Sequence, residues 1–202
     1  SLGSVGYQSS MVHLTTVLGD LAPSLKPKAI TYPDRYKGLI ASADKVRRYT
    51  DNNAAFACLA ISEIRRLRQV SRDNLAPQTA ANTPRLGTAY IIRQFKRPEE
   101  ITLLRQVYGR KFIQVSVYLD KEERKHILIE KIKSYDTQIV DDAKAETQAL
   151  ELIEIDYSEV SDTYGQRVSD VFHLGDVFVR GEHKPTTADT IDRFIRAFFG
   201  HN

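Results

Sequence analysis

Arginines placed behind apolar runs carry most of the chemistry this sequence offers. Arg93 and Arg97 stand at and just after the end of the run Thr88, Ala89, Tyr90, Ile91, Ile92, and Arg124 follows the run from Phe112 to Leu119. A planar guanidinium presents paired N–H groups that match two oxygens of a phosphate, so arginines at strand ends suit an anionic, nucleotide-like ligand. The alternative for all three is ordinary surface pairing with Glu99, Glu100, Glu122 or Glu123. A second candidate for anion binding is the start of the chain, where Gly3 and Gly6 precede Ser9 and Ser10. A G-x-x-G turn ahead of a helix lets backbone N–H groups converge on a phosphate. A complete phosphate loop reads G-x-x-x-x-G-K-[ST] after a strand. Here the lysine is missing, and a plain N-terminal glycine turn stays open as the other reading.

Other chemistries find no support. A zinc deaminase centre needs H-x-E and P-C-x-x-C, and the chain holds one cysteine, Cys58. His13, His126, His173, His183 and His201 are scattered without an i, i+4 pair, the pattern of surface or hydrogen-bonded structural histidines. No G-x-S-x-G nucleophile elbow is present. Cys58 lies among Ala55, Leu59 and Ile61 with no evident base, which predicts a buried, inert thiol.

The elements that would position the arginines centre on Gly87 to Arg124. The run Thr88 to Ile92 is nearly unbroken in apolar and β-branched residues, as in a strand of a parallel sheet covered on both faces. Pro98 with Glu99 and Glu100 opens a helix, since proline suits the first turn and carboxylates there offset the positive end of the dipole. Ile101, Leu103, Leu104 and Val107 form its expected buried stripe, Gly109 stops it, and a strand over Ile113 to Tyr118 follows. This predicts one βαβ unit within a single sheet, its ligand at the carboxyl ends of the strands.

Around that unit, MVHLTTVL at 11–18 reads as a helix. Gly19 to Pro33 reads as loop, with at most a short strand over Ala29 to Tyr32. Asp34 to Arg68 is mainly helical in two pieces, and Gln69 to Arg85 is a polar loop. Glu122 to Tyr135 reads as a charged helix buried through Ile127, Leu128 and Ile132, and Asp136 to Tyr157 as interrupted helical pieces. Val168 to His173 is helix or turn, Asp176 to Arg180 a last short strand, and Ala188 to Phe199 a closing amphipathic helix.

With 202 residues, 42% hydrophobic and 27% charged, the chain is long enough for one α/β domain with a full core. No apolar run approaches the roughly 20 residues of a membrane span, no signal peptide is visible, and a lone cysteine fits a reducing compartment; the expected location is the cytoplasm, with no membrane partner. A net charge of +3 with interspersed signs argues against direct nucleic-acid binding.

The order of these features, with TAYIIRQFKRPEEITLLRQVYG, ISEIRRLR before it, YGQRVSDVFHLGDVFV and the closing IDRFIRAFFG, resembles the N-terminal P-loop kinase-like domain of the bacterial anti-phage dCTP/dCMP deaminase family, the large deoxycytidylate deaminase relatives. The resemblance runs from about Tyr32 to Gly200. It implies an α/β fold of three layers, a P-loop nucleoside or nucleotide kinase-like domain with a mostly parallel sheet spanning 1–202. Residues 1–33 would hold a cut-short phosphate loop and linker. The zinc deaminase domain that follows in the family is absent from this chain, so zinc is expected only there, and no deaminase turnover is expected here. The implied function is nucleotide sensing, regulation or oligomerisation by a pseudokinase, within an enzyme that converts dCTP or dCMP to dUTP or dUMP. The implied partners are a nucleotide, with magnesium as its companion ion, the deaminase domain of the same polypeptide, and further copies in a homo-oligomer. An active P-loop kinase is the alternative. Gly3, Gly6, Ser9, Ser10, Arg93, Arg97 and Arg124 are the expected phosphate-binding residues, with no catalytic residue and no metal ligand.

Overall fold

The computed structural model describes residues 2–70, 79, 82–135, 141–158, 163, 165–181 and 185–200. In chain order the elements are β1 (Gln8–His13), α1 (Leu14–Leu21), α2 (Tyr32–Thr50), α3 (Ala55–Val70), β2 (Thr88–Arg93), α4 (Pro98–Tyr108), β3 (Val115–Tyr118), α5 (Lys121–Tyr135), α6 (Asp142–Ser158), α7 (Val168–Phe172), β4 (Val177–Arg180) and α8 (Pro185–Phe199). The fold is α/β, and the short strands are all parallel to their partners.

Strand pairing departs from the single sheet expected. Among the described residues β1 pairs only with β2, from Gln8↔Thr88 to His13↔Arg93, and β3 only with β4, from Val115↔Val177 to Tyr118↔Arg180, giving two two-stranded sheets. The strand, helix, strand unit at the centre of the sequence therefore bridges two sheets. The three-layer expectation is also corrected at β1 and β2: Val12 and Ile92 pack against Leu14 and Leu18 of α1 and Phe56 and Ala60 of α3, while Met11 and Ile91 on the other face stay 47% and 36% exposed. β3 reverses its apolar reading, exposing Val115 and Val117 and burying Ser116. The Ser116 hydroxyl donates to the Phe172 carbonyl, and a Cβ on Gly175 would stand 2.5 Å from its oxygen, so backbone and hydroxyl meet where a side chain has no room.

Several boundaries follow local chemistry. Thr31 caps α2 by accepting from the Asp34 N–H, with Pro33 in the first turn, so the helix begins at Tyr32, at the end of the stretch expected to be loop with at most a short strand over Ala29 to Tyr32. MVHLTTVL splits at His13: the first half pairs with β2 and the second half forms α1. α4 starts at Pro98 and stops at Gly109, whose φ of +55° favours glycine. Val107 on that helix is 50% exposed rather than part of the buried stripe.

The second core lies between α5 and α6. Leu128 and Ile132 meet Ala145, Ala149, Leu152 and Ile153, with Tyr32 and Tyr36 of α2 against them. The small side chains at Ala145 and Ala149, one turn apart, let the helices approach closely. The expected interrupted helical pieces are one continuous 17-residue helix, and residues 136–140 lie outside the described residues. Cys58 is exposed, contrary to the buried thiol expected, because Phe56, Ala57, Ala60 and Ile64 define the inward face of α3.

Candidate functional site

At the carboxyl ends of β1 and β2 the register sets His13 beside Arg93. β1 passes into α1 with no loop: His13 occupies the cap position and Leu14 begins the helix, so the first N–H groups of α1 open beside the strand ends. Arg93 is exposed, and its guanidinium has no hydrogen-bond or ion-pair partner among the described residues. Gln94 follows with φ of +81°, a conformation that strains a residue bearing a Cβ, and its Oε1 accepts from the Thr15 hydroxyl at 3.4 Å. Replacing Gln94 by glycine is expected to stabilise the protein by up to about 1 kcal/mol, the relieved strain less the entropy glycine adds to the unfolded chain. Denaturant midpoints measure this; a loss of stability would mean that the Gln94 side chain, and not its backbone, matters there.

The loop from Gln94 to Arg97 is held by a buried ionic network. Glu100 is 0% exposed; its Oε2 accepts from the N–H groups of Lys96 at 2.8 Å and Arg97 at 3.0 Å, and its Oε1 from Arg47 Nη2 at 3.1 Å. Arg47, from α2, also reaches Asp44 at 3.1 Å and lies 5.0 Å from the centre of the Phe56 ring. Burial pushes the Glu100 carboxyl above the usual range, against the opposing pull of Arg47 and of the Lys96 and Arg97 N–H groups. Arg97 is itself buried: Nη1 donates to the Gly165 carbonyl at 2.8 Å, and Nε and Nη2 grip Glu99 at 3.2 and 2.9 Å. The Arg167 N–H donates to the Lys96 carbonyl at 2.9 Å, completing the tie between this loop and the segment before α7.

The expected phosphate ligands are dispersed. Gly3 lies in a short 3₁₀ turn and Gly6 at φ of +80° before β1, with the Gly87 carbonyl accepting from the Gln8 N–H beside it. This is the amino end of the strand pair, while Arg93 is at the carboxyl end, roughly 17 Å away along six residues of strand. The glycines therefore open a strand, not a helix, and do not share a crevice with Arg93. Ser9 and Ser10 lie along β1. Arg97 is near Arg93 in sequence but directed into the Glu99 and Gly165 contacts. Arg124 is half-buried and partnered in the first turn of α5, beyond the other strand pair. There Asp120 takes hydrogen bonds from the Tyr118 hydroxyl and Arg180, each 2.7 Å, which hold its carboxyl below the usual aspartate range.

Sequence reasoning passed over His13, Thr15 and Gln94. The available signal for Gln94 was its place directly behind an apolar strand and ahead of the Lys96, Arg97, Pro98 turn. No glycine or lysine lies between Val12 and Thr16, so this strand-to-helix junction lacks the glycines and the lysine with which a P-loop holds and transfers a phosphoryl group. Among the described residues no three His, Cys, Asp or Glu side chains gather into a metal-binding group, and no helix is long and apolar enough to cross a membrane. No family model, no curated protein and no solved structure matches the chain significantly.

Proposed function

We propose that this chain is a P-loop kinase-like module that binds a nucleotide without transferring its phosphate, and that it regulates a deoxycytidine nucleotide deaminase acting against phage. The observation that carries the reading is Arg93. It is an exposed guanidinium without a partner among the described residues, at the carboxyl end of a parallel strand, beside the first turn of α1 and a strained Gln94. Carboxyl ends of parallel strands are where α/β domains place their ligands, and helix N-termini favour anions. In this reading the phosphate group lies between Arg93 and the first turn of α1, and the missing lysine removes the main stabiliser of a transferring phosphoryl group. The sequence resemblance supplies the deoxycytidine substrate, the deaminase domain as partner in one polypeptide, and the homo-oligomer.

Thermal melts with dCTP, dCMP or ATP and magnesium test it. At a hundredfold excess over Kd, a bound nucleotide raises the melting temperature by roughly 5–10 °C. ATP with nucleosides is expected to yield no ADP above the blank, and dCTP with zinc to be recovered unchanged. The absence of any nucleotide shift would defeat the reading; steady ADP formation would replace it with a working kinase.

A further inference from the structure

A cleft of about 510 Å³ opens at the other end of the second strand pair, where Ile113 and Val177 precede and begin β3 and β4, and the last turns of α8 close over them. Its walls are aromatic. Phe112 lies on one side, and Phe194 and Phe198, one helical turn apart with ring centroids 5.4 Å apart, lie on the other. Phe198 is 60% exposed, and the Phe199 ring stands edge-on to it at 5.4 Å, so aromatic surface at the end of α8 is open to a ligand.

The charges in this cleft do not cancel. Asp176 is committed on both oxygens, Oδ1 to Arg105 Nη2 at 2.8 Å and Oδ2 to the Gln114 N–H at 2.8 Å, and Arg105 also donates to the Leu174 carbonyl at 2.6 Å. Arg110, on the 3₁₀ turn Gly109–Lys111, has no hydrogen-bond or ion-pair partner among the described residues. Among the described residues one guanidinium is therefore left without a partner in a cleft lined by three aromatic rings. A ring face stacks favourably on planar aromatics, and a guanidinium binds an oxyanion through paired N–H groups.

We propose that this cleft binds a small planar aromatic molecule bearing one anionic group, with its ring against Phe194 and Phe198 and its anion on Arg110. The volume is within the range of small-molecule sites, about 300–1,000 Å³. The site is separate from the strand ends at Arg93 and does not depend on the nucleotide reading.

The test uses the whole chain and two fluorescent probes of similar shape, anilinonaphthalene sulfonate and its uncharged analogue N-phenyl-1-naphthylamine. The sulfonate is expected to bind saturably at one site. Arg110→Gln weakens it by roughly ten- to a hundredfold and leaves the neutral probe unchanged. Phe198→Ala, at an exposed position that does not threaten the fold, weakens both, with melting curves confirming that the variants are folded. Sulfonate binding that Arg110→Gln leaves unaltered, that never saturates, or that is absent from the start overturns the proposal. Equal loss of both probes in Arg110→Gln does so too, because it would mark a general change of the cleft rather than an anion contact.

Discussion

Replacing Glu100 by alanine is expected to cost about 3–5 kcal/mol of stability, the loss that follows when one partner of a buried ion pair is removed. For a chain of this size that is a fall in melting temperature of roughly 6–20 °C. Arg47 is 1% exposed and would face the space left by one of the carboxylates that oppose its charge. The N–H groups of Lys96 and Arg97 lose their common acceptor as well. The pair itself contributes little beyond an apolar substitute. The double variant Arg47→Met with Glu100→Leu is therefore expected to recover the part of the loss due to the uncompensated Arg47 charge, while the Lys96 and Arg97 N–H groups stay without their acceptor. Glu100→Gln separates charge from shape. Burial raises the folded-state pKa of Glu100 above that of the unfolded chain, so the folded state binds the proton more tightly. That contribution is fully present below the ordinary glutamate range and is lost as the pH rises through the raised value. Glutamine carries no such proton, and its stability should lack that slope. Denaturant titrations across pH check all three variants. A loss below about 1 kcal/mol in Glu100→Ala would show that the network relaxes without it.

The two halves of the fold were unequally legible. β2, α4 and β4 could be read because each is a short apolar run or stripe with its own punctuation, Pro98 at the start of α4 and Gly109 at its end. β1 could not. Gln8–His13 has only Met11 and Val12 as apolar residues, and these continue into the helical spacing of Leu14 and Leu18; what makes the segment a strand is a partner, Thr88–Arg93, far along the chain. The same limit applies to β3. An apolar run predicts burial on both faces, yet Val115 and Val117 are 44% and 58% exposed, because the face of β3 they share is left open while the Ser116 face is covered. Cys58 shows a third kind of error. Neighbours in sequence are not neighbours on a helix, and the stripe Phe56, Ala60, Ile64 turns the thiol outward. At the candidate site the residue types were visible and their roles were not. Arg93 and Arg97 look alike in sequence, both basic and both behind one strand. Only the distant Gly165 carbonyl and the conformation of the loop distinguish them.

That distinction gives two opposite expectations for one substitution. Arg97→Ala removes a buried guanidinium that satisfies the Gly165 carbonyl and clamps Glu99 through two hydrogen bonds. Hydrogen bonds to charged groups are worth about 1.5–3 kcal/mol, and a buried carbonyl left without a donor adds its desolvation cost. The expected loss is about 2–4 kcal/mol, with the segment before α7 held less firmly to the Lys96 loop, through the Arg167 N–H that the substitution leaves in place. Arg93→Ala deletes an exposed side chain with no partner among the described residues and should shift stability by less than about 0.5 kcal/mol. Ligand binding is expected to reverse the order. Arg93→Ala weakens nucleotide affinity by roughly ten- to a hundredfold through the lost charge-assisted contact. Arg97→Ala, measured at a temperature where it remains folded, changes affinity only through the set of its loop. Melting curves with and without nucleotide on both variants give the four values at once. If Arg97→Ala melts like the wild type and loses the nucleotide, Arg97 turns outward to the ligand, and the phosphate reading of both arginines returns. If Arg93→Ala keeps the full nucleotide-induced shift, the anion does not lie at the carboxyl end of β2.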